Sequence, residues 1–512
     1  MLDLALISLP MSSSKKQSDN VLPFAERMNF GLLSIATYVE RHGYSSEVYD
    51  PQCMNAEKAL ADTLNWLMQR KPRIIGLSCI SGFSYDNLLL FSEAIRKQFS
   101  DVLIVTGGQD HVGKIPEIVL QECPAIDVVT SGEGEYSTLA LLDCRNARKG
   151  IQSLCSSYDL TVRCEEGIVK SAKGMNRHFN EMQKLDFSLY ADCQRFPPSV
   201  EIGRGCPFRC NFCSNGTRPY LKKSMTDVVD EVENVCSFYE SSCISFYFQT
   251  PLMKLADEEL VSLAKEREER GLQFTWRSQT RVDTLEIHQL ELLHKAGCRA
   301  LDLGFESGSH EMLVAMGKTK NPSAYLSKAA SLLREAKQVG IIIKLNVLFY
   351  AGERTSTLAE TFTFLSKNSE TIHSISAYPL LVFPETDLEE KISNTLACCG
   401  GKVRRDEQWT KRHIYPVDSS NKWSYEKLSE FGIKLGKAFQ TSKEYYAQRS
   451  CGYYAPTASY EEFIKHVIDV IDVFPFANSE LEMFNHRKEL ANEWLISSQG
   501  DATKDEFKRK WI

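Results

Sequence analysis

Twice along the chain, short apolar runs alternate with single amphipathic stretches, and this rhythm limits the possible folds more than any other feature. From Leu2 to Leu142 the runs are LALISL, SSEVYD, RIIGLS, VLIVTGG and IDVVTSGEGE, with FGLLSIATYVERHG and NLLLFSEAIRKQF among the stretches between them. Strands separated by one helical pattern each are the mark of βαβ units and a parallel, doubly wound sheet. Its ligand edge lies at the carboxyl ends of the strands, which here carry Ser8 to Pro10, Ser78 to Phe83, Gly107 with Gly108, and Gly132 to Glu135. From Ser199 the rhythm resumes in VEIGRG, CISFYFQT, QFTWRSQT, ALDLGFES, IIIKLNVLFY and SISAYPLLVF. Six strands with helices between them predict an incomplete α/β barrel, whose chemistry gathers at the strand carboxyl ends.

Residues 145–198 have poor periodicity and read as a linker, with a hairpin pattern at LTVRCEEGIVKSA. Beyond residue 390 helical patterns rich in Tyr and Phe, YEKLSEFGIKLGKAF and YEEFIKHVIDVIDVF, predict a mainly helical C-terminal region. The expected divisions are 1–144, 145–198, 199–390 and 391–512, in keeping with the roughly three domains that a chain of this length implies.

A formal charge of -7 and a pI near 5.9 argue against a general nucleic-acid binder. No apolar run approaches the ~18 residues of a membrane span. The best, GIIIKLNVLFYAG, is interrupted by Lys344 and reads as a buried strand. MLDLALISLP lacks the basic start and cleavage site of a signal peptide and reads as a first strand. Sixteen scattered cysteines fit a reducing compartment, so a cytoplasmic protein without a membrane partner is expected. The end, KDEFKRKWI, reads as a solvated helix tail.

The stretch RGCPFRCNFCSNG places Cys206, Cys210 and Cys213 in C-x3-C-x2-C spacing just after VEIGRG. This does not match the paired C-x2-C elements of structural zinc sites, and zinc needs a fourth ligand, for which Cys193 and Cys236 are the options. An iron-sulfur cluster usually takes four thiolates; three leave one iron open. With Phe212 at the aromatic position, C-x3-C-x-aromatic-C after a first barrel strand resembles the signature of the radical S-adenosylmethionine (radical SAM) superfamily.

The resemblance continues in order along the barrel. TWRSQTRVD stands on strand three, and LGFESGSHEMLVAMGKTK on strand four is similar to G-x-E-S-G followed by L-x-x-M-x-K. LFYAGERTSTLAET on strand five is similar to a G-x-P-G-E-T turn, with Ala351 for proline and Arg354 for threonine; PLLVFPETDL on strand six puts Glu385 where glycine is usual. The resemblance implies a [4Fe-4S] cluster on Cys206, Cys210 and Cys213, whose open iron chelates SAM. Reductive cleavage then releases a 5'-deoxyadenosyl radical, with a donor such as flavodoxin or ferredoxin supplying the electron. It further implies Phe212 near the adenine, Glu306 and Ser307 as acceptors for ribose hydroxyls, and Arg281 and Lys318 as cations for the SAM carboxylate or a nearby polar network. Arg281 reads equally as a barrel-rim salt bridge. Thr250 occupies a position where relatives commonly place an acid, leaving Gln249 or backbone carbonyls to receive the SAM ammonium. His310 reads as a helix-surface residue.

The N-terminal pattern resembles the cobalamin-binding-type domain that precedes the barrel in one large radical SAM class. Gly107 and Gly108 then allow close approach to a bulky cofactor, although glycines at strand ends also simply make tight turns. GGQDHVGK sets Asp110 directly before His111 instead of forming D-x-H-x-x-G, so histidine ligation of cobalt is not expected. With cobalamin, the class implies methyl transfer to an unactivated carbon of a small-molecule or peptide substrate in natural-product or peptide biosynthesis. Without it, the reading becomes an epimerase, cyclase or peptide maturase, in which Cys398, Cys399 or Cys451 returns a hydrogen atom; each also reads as an ordinary thiol. A non-catalytic metal-binding scaffold is the reading from another class. Trp409, Tyr415, Trp423, Tyr453 and Tyr454 fit either ligand contact or core packing.

Overall fold

The structure is a computed structural model that describes residues 2–11, 27–52, 54–144, 150–171, 181–213, 218–239, 244–384, 386–467 and 472–496. Ser214 to Gly216, Glu385 and the KDEFKRKWI tail lie outside the described residues. The chain forms two compact units, one of Met1–Pro197, Phe383–Glu385 and Glu407–Ile414, the other of Pro198–Val382, Thr386–Asp406 and Tyr415–Ile512.

In the first unit β1 (Leu4–Ser8), α1 (Phe30–Arg41), β2 (Ser46–Tyr49), α2 (Ala56–Arg70), β3 (Ile74–Ser78), α3 (Tyr85–Gln98), β4 (Leu103–Gly107), α4 (Pro116–Glu122), β5 (Val128–Thr130) and α5 (Glu135–Asp143) follow one another. The strands lie parallel in the order β2-β1-β3-β4-β5. β1 and β3 are buried at every position, which is why they read as unbroken apolar runs. β6 (Leu160–Cys164) and β7 (Gly167–Lys170), from the stretch read as a linker, form the hairpin and extend the sheet antiparallel from β5. α2 is hard to see in the sequence because its buried stripe is only Ala59, Thr63, Trp66 and Leu67.

The second unit begins with β8 (Ser199–Glu201), β9 (Gly203–Arg204), β10 (Leu221–Lys222), α6 (Met225–Phe238), β11 (Ser245–Gln249), α7 (Asp257–Glu269), β12 (Thr275–Arg281), α8 (Gln289–Lys295) and β13 (Cys298–Glu306). It continues with α9 (His310–Ala315), α10 (Pro322–Val339), β14 (Ile342–Phe349), α11 (Thr355–Lys367), β15 (Ser374–Pro379), β16 (Leu381–Val382) and α12 (Leu388–Cys399). β17 (Lys402–Val403) comes next, then α13 (Glu407–Thr410), which belongs to the first unit. β18 (Tyr415–Asp418), α14 (Tyr425–Lys437), α15 (Ser442–Ser450), α16 (Tyr460–Val467) and α17 (Glu480–Ile496) complete the chain. The six expected strands form one parallel sheet in the order β8-β11-β12-β13-β14-β15, a partial (β/α)6 barrel, and the C-terminal region is helical as expected. A small antiparallel sheet, β16-β18-β17, has no counterpart in the sequence pattern, since strands of two to four residues carry no readable period. α10 shows how sharply the sequence ends its helices. Asn321 accepts from the Ala324 amide, Pro322 takes the first helical position, and Gly340 at φ 81 closes the far end.

Side chains alternate across the barrel wall. Phe248 and Trp276 stack with ring centroids 4.7 Å apart, while their neighbours Tyr247 and Arg277 take the opposite face. There Arg277 Nε donates to Asp302 Oδ2 at 3.1 Å, its other nitrogens reach Asp302 Oδ1 and the Gln448 carbonyl, and the Tyr453 hydroxyl donates to Asp302 Oδ2. The Arg277 Cζ lies 3.8 Å from the centre of the Tyr453 ring. Residues 448–453 thus fasten the C-terminal region to the inner wall. Gly452, at φ 83, lets this segment approach so closely that a Cβ would stand 2.7 Å from the Phe246 carbonyl oxygen. Removing one partner of a buried ion pair strands the other, so Asp302→Asn should lower the unfolding free energy by about 3–5 kcal/mol in a urea titration.

Glu353, just before α11, is fully enclosed; the Thr357 hydroxyl donates to its carboxyl, and Ser420 Oγ donates to its carbonyl at 3.0 Å. Burial, with like charge from Glu311 and Glu360, pushes its pKa up to about 8. The folded protein therefore holds this proton across a window in which the unfolded chain, titrating near the ordinary value of 4.5, has released it. Stability from this group falls as pH rises from about 4.5 to about 8 and is level above that. Glu353→Gln should remove that slope and raise the urea midpoint at pH 8 over wild type, by on the order of 2–4 kcal/mol in unfolding free energy, with little difference at pH 4.5.

Candidate cofactor site

The cysteine loop leaves the barrel immediately after β8 and β9. Gly205 turns it at φ 75, where a Cβ would fall 1.9 Å from the Pro219 carbonyl oxygen, so glycine is required there. Cys206 and Cys210 are partly buried, Cys213 is exposed, and none is in a disulfide. Asn211 pins the loop: its amide N–H donates to the Met316 carbonyl at 2.9 Å, and its side-chain Nδ2 donates to the Ala315 carbonyl at 2.8 Å. Carbonyls at the end of a helix have no partner within it, so Asn211 satisfies the end of α9 while fixing the middle of the loop. The sequence reading did not single out Asn211; the one available signal is an amide side chain between two cysteines and beside an aromatic ring.

Arg281, the last residue of β12, is the centre of the site. Its Nη1 stands 2.7 Å from Cys210 Sγ, Nε and Nη2 each donate to Asp283 at 2.8 Å, and Nη2 also donates to the Lys318 carbonyl at 2.8 Å. The Phe208 ring lies 3.9 Å from the guanidinium carbon. Burial opposes the charge, but Asp283 and Cys210 outweigh it, and the pKa of Arg281 is raised. Arg281 forms the salt bridge at the barrel rim that its position predicts, and the same side chain faces the cysteine loop. Lys318 Nζ donates to Glu306 Oε1 at 2.9 Å and lies 6.0 Å from the Phe212 ring centre. Glu306 ends β13 at φ 70, a left-handed conformation that few non-glycine residues adopt. Gly304 leaves room for the pair: a Cβ there would meet Glu306 Oε1 at 2.9 Å and Lys318 Nζ at 3.0 Å.

Other expected residues stand less directly in this group. Ser307 Oγ is 3.1 Å from Thr361 Oγ1 and accepts from the Ser309 amide at 3.1 Å, so it shapes the turn into α9. Thr250 is buried, its hydroxyl 3.2 Å from the Leu252 carbonyl, and its own carbonyl receives Gln279 Nε2 at 2.8 Å. His310 is exposed at the start of α9. Cys399 lies near the turn after β14, 4.0 Å from where a Gly352 Cβ would stand, with Cys398 exposed beside it. Cys451 packs with Cys298 and Ser245, the first residues of β13 and β11, at the end of the barrel away from Arg281 and Glu306. Cys236 lies on the buried face of α6 and Cys193 in the first unit. Among the described residues no three His, Cys, Asp or Glu side chains converge tightly enough to hold one metal ion. Trp409, Tyr453 and Tyr454 are buried in packing, Trp423 packs on Phe431, and Arg405 covers the Tyr415 ring.

In the first unit, strand order reverses between β1 and β3, the place at which sheets of order 2-1-3-4-5 take their ligands. Asn29 Nδ2 bridges the two strand ends, 3.3 Å from Ser8 Oγ and 2.9 Å from Ser78 Oγ. Gly107 and Gly108 are both needed by the chain itself: a Cβ would lie 2.3 Å from Thr130 Oγ1 and 2.0 Å from the Cys79 carbonyl oxygen, respectively. Gly132, at φ 75, has open space where a Cβ would go. His111 is wholly buried, its Nε2 2.8 Å from the Arg412 carbonyl and its ring against Tyr85 and His413. Burial pulls its pKa down to about 4.

Comparison with known proteins agrees with both units. The B12 binding domain matches residues 26–142, and the radical SAM superfamily matches residues 200–365. An uncharacterized methyltransferase of Pyrococcus horikoshii is 24% identical over 322 residues, covering 61% of this chain and 67% of its own. The anaerobic magnesium-protoporphyrin IX monomethyl ester cyclase of Rubrivivax gelatinosus is 25% identical over 353 residues, covering 64% of this chain but only 60% of its own. The fold is that of the radical SAM methyltransferase TsrM from Kitasatospora setae, with a TM-score of 0.66 at 16% identity over 96% of this chain and 99% of that one. The matched domains imply a [4Fe-4S] cluster, SAM and cobalamin. The residues present fit these groups: a guanidinium faces a loop thiol, a carboxylate and an ammonium stand beside it, and the small polar residues Ser8, Asn29 and Ser78 edge the sheet at its switch point. The chain belongs to the radical SAM superfamily, in the class that carries a B12-binding domain ahead of the barrel, and is an enzyme of that class.

Proposed function

We propose that this enzyme transfers a methyl group to an unactivated carbon of a small molecule or peptide, with hydrogen abstraction from that carbon as the opening step. The observation that carries the reading is Arg281, which joins the cysteine loop to the Lys318–Glu306 pair while the same chain carries a B12-binding domain. When bound, the cluster supplies the electron that cleaves SAM, and cobalamin carries the methyl group. The chain's own part is binding and orientation. Cys206, Cys210 and Cys213 would hold the cluster through three thiolates. Arg281 donates toward Cys210, a charge-assisted contact that holds the loop against the strand ends. Glu306 presents its carboxylate where ribose hydroxyls can donate to it, and Lys318 orients that carboxylate from its other side. Phe212 offers an apolar face for the adenine. A one-electron donor of the flavodoxin or ferredoxin type supplies the reducing equivalent. No helix among the described residues is long and apolar enough to cross a membrane.

Anaerobically reconstituted protein with cobalamin and reductant should yield both 5'-deoxyadenosine and S-adenosylhomocysteine from SAM, read by mass spectrometry. Proven turnover without S-adenosylhomocysteine would overturn methyl transfer. Cys210→Ala should abolish both products and the visible absorption of the cluster, while leaving far-ultraviolet circular dichroism unchanged.

A further inference from the structure

Lys344 sits in the middle of β14, in a strand otherwise apolar enough to be mistaken for a buried core element. Register places it beside Asp302 on β13, and Asp302 is the only acid near it in the barrel interior among the described residues. That acid is already committed. Arg277 holds both of its oxygens, and the Tyr453 hydroxyl adds a donor to Oδ2. Lys344 Nζ reaches Asp302 Oδ1 only at 3.3 Å. Arg449, on α15, adds a third cation close to Lys344; tyrosine rings surround it, Tyr445 at 4.6 Å and Tyr453 at 5.6 Å, and its Nε is buried without a hydrogen-bond partner among the described residues. Two cations thus share one carboxylate, and a third, Arg449, stands close by with tyrosines around it. Buried charge without a partner is costly, so an unneutralised excess inside a barrel calls for an anion.

The inner wall beside this cluster is open. On five adjacent strands the residues at alternate positions, Gln249, Gln279, Gly304, Asn346, Leu348 and Tyr378, keep solvent access, whereas their outward-facing neighbours are buried. Register joins them into one surface: Gln279 pairs with Asp302, Gly304 with Asn346, and Leu348 with Tyr378. Strand alternation puts Lys344 and Asn346 on the same face of β14. The side-chain amides of Gln249 and Asn346 make no hydrogen bond to another described residue, and Tyr378, 61% exposed, stands near Arg449. Burial, helped by the neighbouring Arg277 and Arg449 charges, pulls the Lys344 pKa down to about 8 against the pull of Asp302, the response expected of an ammonium short of a counter-ion.

We infer that this lumen binds the oxyanion group of the substrate, with Lys344 and Arg449 as its cationic contacts and the Asn346 and Gln249 amides as its neutral ones. The inference rests on the proposed enzyme reading and adds the substrate class: a molecule bearing a carboxylate or a phosphoryl group, turned into the barrel with its reacting carbon toward the cysteine loop. Asp302 and Arg277 are then the frame that keeps Lys344 from collapsing onto a partner of its own.

The test uses the full-length protein and three probes of one shape, benzoate, phenyl phosphate and benzamide, with affinities measured by saturation-transfer NMR. At least one anion should bind at least about tenfold more tightly than neutral benzamide; the better of the two identifies the substrate group as carboxylate or phosphoryl. Lys344→Met should weaken that anion about tenfold or more, and Lys344→Arg should retain most of the affinity. If Lys344→Met does not fold, Arg449→Gln, on the more accessible cation, replaces it and should show the same loss. Equal affinity for all three probes, no saturable binding of either anion at millimolar concentration, or unchanged anion affinity in the folded variants overturns the inference. Lack of S-adenosylhomocysteine in the turnover assay bears on methyl transfer alone and leaves these binding results standing.

Discussion

The candidate cofactor site of the barrel is organised around one guanidinium. Arg281 ends a strand, and a strand end alone cannot position a loop that departs from β8, two strands away in the sheet. Its fork solves this by dividing its donors: two toward Asp283, which fixes the fork's own plane, one toward the Cys210 sulfur, and one toward the Lys318 carbonyl. A lysine could not make this set, because an ammonium has no plane and no spacing between donors. The Phe208 face against the guanidinium adds a contact that neither charge nor hydrogen bonding requires. Asn211 performs the matching task from the loop side by ending α9. Loop, strand and helix are thereby held by polar contacts from two side chains, and Cys206, Cys210 and Cys213 form no disulfide.

Below this layer the barrel carries a second group of charges with the opposite character. At the rim, each cation has an acid of its own: Arg281 has Asp283, and Lys318 has Glu306. In the interior, Arg277 monopolises Asp302 and leaves Lys344 short. The rim pairs are complete without a ligand, which suits residues whose task is to orient a cofactor that brings its own balanced charges. The interior cluster is incomplete without one, which suits a site that selects a charged group. The C-terminal region accounts for the difference, since Arg449 and Tyr453 reach the wall from α15 and the turn after it. A barrel of this type can thus keep one cofactor layer and change its substrate by changing the segment that lines its interior.

Much of this was legible from the sequence, and the reasons for success and failure are physical. The strands of both sheets are legible as short runs set between helical patterns, β1 and β3 as unbroken apolar ones because both of their faces are covered, and the cysteine spacing is local, so neither needs the tertiary fold to be seen. Glu306 and Lys318 were found through a motif, but their pairing depends on Glu306 adopting φ 70 at an irregular strand end, which no period reveals. Asn211 escaped because its role lies in the carbonyls of a helix about a hundred positions later. β16, β17 and β18 escaped because strands of two to four residues leave no pattern. Gly107 and Gly108 read as a place for a cofactor, yet their missing Cβ atoms make room first for Thr130 and Cys79 of the chain itself.

Lys344 shows where sequence and structure have to be read together. In the sequence it serves only to break an apolar run and so to exclude a membrane span. In the structure the same residue stands where an apolar side chain would pack without cost, next to an acid that does not need it. Burying an ammonium with a shared, longer contact is expensive compared with a leucine of similar length. Had the residue served only to complete the wall, the arrangement would leave its charge poorly compensated; Asp302 would pair with Arg277 equally well without it. The Asp302 contact and the Tyr453 ring 5.5 Å away offset part of that cost; a ligand whose charge Lys344 meets would offset the rest, and the accessible amides on the neighbouring strands face the same lumen.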